Sequence, residues 1–490
     1  MATALEVTSA GTDFPKISQS DGTVLHEATT QMEDMMEVEK TKCKVELTKE
    51  ILTVHGKKKL YRIIPVESIL SAVCQDKPNT NSQLTVQYIH RTGKSNLKIS
   101  SVCLKGDTSV CNAWETKLQE YIKLVPHRPQ RILVIVNPES GKREGLKIYK
   151  SKVEPIFKLA RIETEVVVTE RAGHAEDMMA SKDLSGVDGL VLVGGDGIFH
   201  EVANGALRKI QKDYGINPDN PDSVLKPLDV PIGIIPAGTG NGIAMEVFNS
   251  YDPEVAALAI VLGQKQPHST FSVSANGKHL KYSIMLVGYG WWGDVIYNAE
   301  TRRNLGRARY VYALLNAFVW NKQRLMDLEI KYLPEPGSDV KDSENKDENK
   351  EWQKIEGRFT AVSTFSLWNN HDFSDPQLHH SKHKGAVIAV TKQMSRIQLI
   401  NFFYKGVFKA QVPQLIGPDV NFVKFFVVQR YRVCLKSPSN PETKEGLLER
   451  LKNCDGEIVQ LGGTEFEARC HPGLVQLYHC IPPSDEKGTS

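Results

Sequence analysis

Hydrophobic and polar positions change rhythm three times along this chain. Residues 1–41 are polar, acidic and nearly free of aromatics, and are expected to form a disordered tail. From Cys43 onward apolar residues begin to alternate. Leu84-Thr85-Val86-Gln87-Tyr88-Ile89 has the period of a half-buried strand. Ile51 to Val54 and Leu60 to Ile64 flank His55-Gly56 and predict two strands around a turn. Trp114, Leu118, Tyr121 and Ile122 share one face of a helix that closes the segment. Strands followed by one amphipathic helix predict a small helix-capped β-barrel over residues 42–126.

After the linker His127-Arg128-Pro129-Gln130 the pattern is different. Ile132 to Val136 is apolar throughout and rich in β-branched residues, as in a strand covered on both faces. A helical pattern from Ile148 to Leu159 follows, then the strand Glu165 to Val168, a helix around residues 174–181, and the buried strands Gly189 to Val193 and Pro231 to Ile235. Alternation of strand and helix predicts a parallel α/β domain over residues 127–267. From residue 268 to 482 short alternating runs dominate, such as Phe271-Ser272-Val273, Tyr282 to Met285, Phe359 to Val362, Ala386 to Val390, Phe425 to Val428, Glu457 to Val459 and Leu474 to Leu477. They predict a β-sandwich, interrupted at residues 337–350 by a charged insertion and followed by a tail at 483–490.

Composition changes this picture little. The 490 residues are 40% hydrophobic and 24% charged, in the range of ordinary soluble proteins. Apolar runs stay well short of the roughly 18 residues that span a bilayer, and the first twenty residues lack the basic start and apolar core of a signal peptide. Eight cysteines are scattered without a CxxC pair, which argues for free thiols in a reducing compartment rather than zinc. Charge is more informative. Residues 1–41 carry eight acids and two lysines, whereas residues 42–131 carry sixteen Lys and Arg against seven acids. Such a basic module suits anionic lipid headgroups, at about 1 kcal/mol per Lys or Arg near the surface, or is simply a solvated face.

Four loops carry the candidate chemistry, each directly after a strand of the α/β region: Asn137-Pro138-Glu139-Ser140-Gly141-Lys142, Thr169-Glu170-Arg171-Ala172-Gly173-His174, Gly194-Gly195-Asp196-Gly197, and Pro236-Ala237-Gly238-Thr239-Gly240-Asn241. Ligands of open α/β sheets bind at the carboxyl ends of the strands, and small residues there let backbone N–H groups approach a phosphate. Any one of these loops is explained by a tight turn. Four in succession predict a nucleotide site along one sheet edge. Neither GxxxxGK[ST] nor GxGxxG after the first strand is present, and neither are the HRD and DFG signatures of protein kinases.

GGDGIFHEVANGAL together with IPAGTGNG resembles the diacylglycerol-kinase-type catalytic domain of ceramide and sphingosine kinases, and TERAGHA and NCDGE fit in order and spacing over about residues 130–480. The resemblance implies an ATP-dependent lipid kinase with an α/β domain and a β-sandwich enclosing a cleft. It implies that Asp196 is the general base, accepting the proton of the substrate hydroxyl. The nucleotide would be lined by Asn137, Pro138, Ser140, Gly141, Thr169, Gly194, Gly195, Gly197, Gly238, Thr239 and Gly240. Glu201 would join them or serve only the helix dipole. Arg303 and Arg309 in ETRRNLGRARY match positions that contact the ATP phosphates. Asp455, Gly456 and Glu457 match a late DGE turn near the phosphates, where Mg²⁺ carried by ATP would come close to Asp455. The first module takes the place of a pleckstrin-homology-like domain, which implies a cytoplasmic enzyme peripherally attached to anionic membranes. No nucleic-acid partner is expected.

Substrate choice turns on GYGWWGDVI, residues 288–296. Sphingosine kinases carry an acid where Ile296 stands, and ceramide kinases carry aliphatics, so ceramide is the expected substrate, with Asp294 and Ile296 at the lipid head. Gly238-Thr239-Gly240-Asn241-Gly242 is closer to sphingosine kinases and leaves sphingosine as the alternative. Residues 152–166 resemble the ceramide-kinase-like proteins, whose kinase activity is weak, but that group erodes the glycine-rich motif and this chain keeps it. Nicotinamide-nucleotide kinases share GGDG but lack the later motifs.

Overall fold

The computed structural model describes residues 30–56, 60–75, 82–92, 96–302, 305, 308–309, 312–313, 315–316, 323–334, 351–365, 386–395, 397–398 and 422–480. Residues 1–29, the insertion at 337–350, Arg303 and the tail at 483–490 lie outside the described residues.

The first module is antiparallel throughout. Its strands are β1 (Met32–Val38), β2 (Thr41–Leu47), β3 (Ile51–His55), β4 (Leu60–Pro65), β5 (Ile69–Gln75), β6 (Ser82–Thr92) and β7 (Asn96–Gly106), closed by helix α1 (Thr108–Lys123). They lie in the order β4-β3-β2-β1-β7-β6-β5. Helix α1 buries Cys111, Trp114, Leu118, Tyr121 and Ile122 in this module's core, as its periodicity predicts. The expectation of a disordered tail to residue 41 fails at its C-terminal end. Met36 and Val38 of β1 are core residues, and Asp34 accepts the Trp114 indole N–H at 2.7 Å. The outward Glu33 and Glu37 give the stretch its acidic composition while the alternation beneath them makes a strand.

The α/β region holds β8 (Arg131–Val136), α2 (Gly145–Ile148), a π-helical turn (Tyr149–Val153), α3 (Glu154–Leu159), β9 (Glu163–Val168), α4 (His174–Met179), β10 (Gly189–Gly194), α5 (Asp196–Asp213), β11 (Ile232–Pro236), α6 (Gly242–Phe248) and α7 (Pro253–Leu262). Its four strands are parallel, in the order β9-β8-β10-β11. All loops after these strands therefore open at one edge. The first module rests on this region: Leu70, Ile89 and Leu97 join its core, and the buried Arg128 of the linker donates to the carbonyls of Glu67 and Ile69 at 2.9 and 2.7 Å.

The remaining elements are β12 (Lys265–Ala275), β13 (Lys278–Ser283), β14 (Leu286–Gly290), α8 (Trp291–Glu300), β15 (Met326–Pro334), β16 (Gln353–Phe359), β17 (Ala361–Phe365), β18 (Ala386–Thr391), β19 (Val423–Leu435), α9 (Lys444–Glu449), β20 (Leu451–Cys454), β21 (Glu457–Gln460) and β22 (Glu465–Tyr478). The boundary expected at residue 267 is no break in the sheet. Strand β22 pairs with β12 and β19, and its end runs parallel to β11, so one 15-stranded sheet passes through both regions. Leu474, Val475, Leu477 and Tyr478 belong to the α/β core. The Tyr478 ring fills the space at Gly189, where an added Cβ would lie 2.2 Å from its hydroxyl oxygen.

Candidate active site

The four loops meet at the carboxyl edge of the parallel strands. Asn137 donates its N–H to Val193 at 3.0 Å, which ties the loop after β8 to β10. Gly141, at φ +58°, leaves room for Ala237, whose carbonyl oxygen would sit 2.5 Å from an added Cβ. Ser140 packs on Gly194, and Gly195 packs on Gly238 so closely that a Cβ on Gly238 would reach within 2.3 Å of the Gly195 Cα. Gly195 and Gly238 thus bring two backbones together, and this contact explains the residue type at those two positions. Thr169 begins the remaining loop, with its N–H on the Val136 carbonyl at 2.9 Å. Asn241, at φ +57°, closes the fourth loop by exchanging side-chain hydrogen bonds with the N–H and carbonyl of Gly238, at 2.9 and 3.0 Å.

Asp196 stands at the start of α5, between these loops. One carboxylate oxygen accepts the N–H of Gly242 and the other that of Ile243, both at 3.0 Å, so the side chain is fixed across the first turn of α6. Each ionised oxygen retains a further acceptor position. Glu201 is half-buried one turn and a residue further on. Burial pushes its carboxyl up, against N–H groups of Gly173 and Ala175, while Glu457 and Glu176 add to the rise. Gly173, Ala175 and Glu201 therefore share one side of the site with Glu457, which also pairs with Lys281.

The DGE turn departs from expectation. Asp455 does not face the phosphate side: its side chain is fully buried. It accepts hydrogen bonds from the Ser283 hydroxyl at 2.8 Å and from the N–H groups of Ile284, Met285 and Leu286 at 2.7, 2.8 and 2.8 Å. His200 Nδ1 lies 2.9 Å from its other side. Burial alone would raise this carboxyl, but His200 and the N–H groups outweigh it and hold it below the ordinary range. A carboxylate with so many donors has no place for a cation. Gly456 turns the chain at φ +87°, and Glu457 is the member whose carboxylate reaches the exposed side.

Asp294, in the first turn of α8, is half-buried and bonded to Arg324 at 3.1 Å. Burial pushes its carboxyl up while the guanidinium opposes the rise. Arg324 also donates to the Leu448 carbonyl at 3.3 Å and lies 4.0 Å from Glu449. Ile296 is on the same helix, its side chain outside the described residues; Arg309 is half-buried. Sequence reasoning missed His200, Asn204 and Arg324. The first two carried a signal, since Asp196, His200 and Asn204 recur every four residues along α5. Arg324, thirty residues from its partner, carried none.

Residues 131–273 match the family model described as the diacylglycerol kinase catalytic domain. The chain is 28% identical over 425 residues to ceramide kinase of Homo sapiens, covering 76% of this chain and 78% of that protein. It is 27% identical over 454 residues to the human ceramide kinase-like protein, covering 83% and 79%. Sphingosine kinase 2 of Arabidopsis thaliana is 30% identical over 412 residues, covering 77% of this chain and 78% of that protein. The chain belongs to the diacylglycerol-kinase-type lipid kinases, the family that includes ceramide and sphingosine kinases. It is a lipid kinase, and ATP is its phosphoryl donor.

Proposed function

We propose that this kinase transfers the γ-phosphoryl group of ATP to the primary hydroxyl of ceramide, giving ceramide 1-phosphate and ADP. In this reading Asp196 accepts the hydroxyl proton as the oxygen attacks phosphorus, and its two bonds to α6 aim it. Asn137, Pro138, Ser140, Gly141, Thr169, Gly194, Gly195, Gly197, Gly238, Thr239 and Gly240 line the nucleotide, and Arg303 and Arg309 contact its phosphates. Magnesium arrives with ATP. Glu201 and Glu457 offer the hard oxygen donors it prefers, and Asp455 does not.

The observation that carries the substrate choice is the Asp294–Arg324 pair. Sphingosine presents a cationic amine, which calls for an unpaired acid. Asp294 already has the half-buried cation Arg324 as partner, and at position 296 an isoleucine offers no acid. An acylated, neutral nitrogen meets no such mismatch, whereas an ammonium beside Arg324 would be repelled. The pleckstrin-homology-like first module, with its basic surplus, would hold the enzyme peripherally on anionic cytoplasmic membranes.

The deciding experiment is a radiolabelled ATP assay against ceramide, sphingosine and diacylglycerol in parallel. Ceramide is expected to be phosphorylated in preference to the other two. Good phosphorylation of sphingosine with poor turnover of ceramide overturns the substrate. Asp196→Asn is expected to lower turnover by about 10²–10⁴-fold, the usual contribution of a general base; a folded variant of near-normal activity overturns that role.

A further inference from the structure

Helix α5 is amphipathic, with a polar column along its buried face. Asp196, His200 and Asn204 follow one another at four-residue spacing, so they stack on one side of the helix. Each grips a different element. Asp196 holds the start of α6. The His200 ring, fully buried, contacts Asp455 in the turn between β20 and β21. Asn204, also fully buried, donates to the Tyr282 carbonyl at 2.9 Å and accepts the Tyr282 N–H at 2.8 Å, docking the helix on β13.

Asp455 extends the arrangement. Its four other donors all lie in residues 283–286, between β13 and β14. Within that turn Met285 packs against Gly242, where an added Cβ would approach its methyl carbon to 2.8 Å. The Gly242 N–H is one of the two that hold Asp196. A closed circuit results: Asp196 to α6, α6 to Met285, the 283–286 turn to Asp455, Asp455 to His200, and His200 back along one helical turn to Asp196. The α/β region supplies Asp196, the start of α6 and His200, and the β-rich region supplies the 283–286 turn and Asp455.

We propose that His200 is a positioning residue for phosphoryl transfer. Its contact with Asp455 sets the rotation and depth of the first turn of α5, and so places the Asp196 carboxylate where the lipid hydroxyl is deprotonated. His200 touches neither nucleotide nor lipid. Its effect passes wholly through Asp196, which makes the inference rest on the reading of Asp196 as base.

The test is a double-mutant cycle on the full chain, assayed with radiolabelled ATP and short-chain ceramide in detergent micelles. His200→Leu should lower kcat at least tenfold while the KM values for ATP and lipid stay within twofold. His200→Gln, which keeps a polar side chain directed at Asp455, should recover most of the loss. In an Asp196→Asn background His200→Leu should change the residual rate less than twofold, because the group it positions is gone. Loss of affinity for ATP at preserved kcat overturns the proposal, as does an unchanged kcat. An undiminished penalty in the Asp196→Asn background also overturns it, since a general structural defect would act in both. Should His200→Leu fail to fold, Asp455→Asn takes its place in the same cycle. An active Asp196→Asn enzyme defeats the base assignment itself; an inactive one beside a fully active His200→Leu enzyme defeats this inference alone.

Discussion

Both oxygens of Asp196 are held by the backbone N–H groups of Gly242 and Ile243, and Gly195, the residue before it, meets Gly238 backbone to backbone. The site is therefore sensitive to the smallest additions. Gly238→Ala is expected to destabilise the protein by about 1–3 kcal/mol, the range for overpacking a filled position, because its Cβ would meet the Gly195 Cα at 2.3 Å. Thermal melting checks this: a melting temperature equal to the parent's would show that the two loops part easily. Asp196 was singled out by four glycine-bearing loops in succession and by the resemblance they carry, since GGDG alone is explained by a tight turn. The same resemblance put Asp455 near the phosphates. DGE looks like any exposed hairpin turn, and nothing in three letters shows that the carboxylate points inward to four N–H and O–H donors.

At the scale of elements, β13 and β22 enclose two histidines in their neutral form. Burial draws His279 down from 6.5 to about 4. It draws His471, which hydrogen-bonds the Ser272 hydroxyl at 2.8 Å, down to about 3. In the unfolded chain each returns to about 6.5 and takes up a proton more readily than the folded chain does. The stability they contribute is thus full above about pH 6.5 and is lost as pH falls toward about 4. Melting temperature should be level near neutrality and fall through that window, and His279→Phe should flatten the fall. An identical slope in the variant would remove His279 from the account. Elements with a clean local signal, the unbroken apolar runs of β8, β10 and β11 and the helical period of α1, were legible in the sequence. Strand β1 was not, because Glu33 and Glu37 masked the inward Met36 and Val38.

At the scale of the whole molecule, the first module is fixed to the kinase by a shared core and by Arg128. Burial draws this guanidinium down to about 10, and it bonds two carbonyls across the junction. A membrane grip by that module would therefore be transmitted to the catalytic region without a slack tether. If the grip is electrostatic, binding of the full chain to vesicles containing anionic lipid should weaken as salt rises and screening shortens from about 10 Å at 0.1 M to 3 Å at 1 M. Co-sedimentation measures it, and salt-independent binding would point to an apolar attachment instead. Changes of rhythm along the chain gave the expectation of three parts, although one sheet runs through the second and third. The return of β22 to β11 was not legible, since a pairing across roughly 240 residues leaves no local trace in either strand.

That return has a consequence for how the protein is made. Strand β11 emerges from the ribosome early, but the neighbour that covers its outer edge, and the tyrosine that fills the hollow at Gly189, come last. At about 5–20 residues per second, synthesis leaves that edge uncovered for tens of seconds. The nascent nucleotide half is thus an unfinished sheet with an open flank through the second half of translation, the form of strand most prone to pair with a wrong neighbour. Completion of this sheet therefore waits for β22, and a chain ended before residue 465 is expected to leave the flank of β11 and the hollow at Gly189 unfilled.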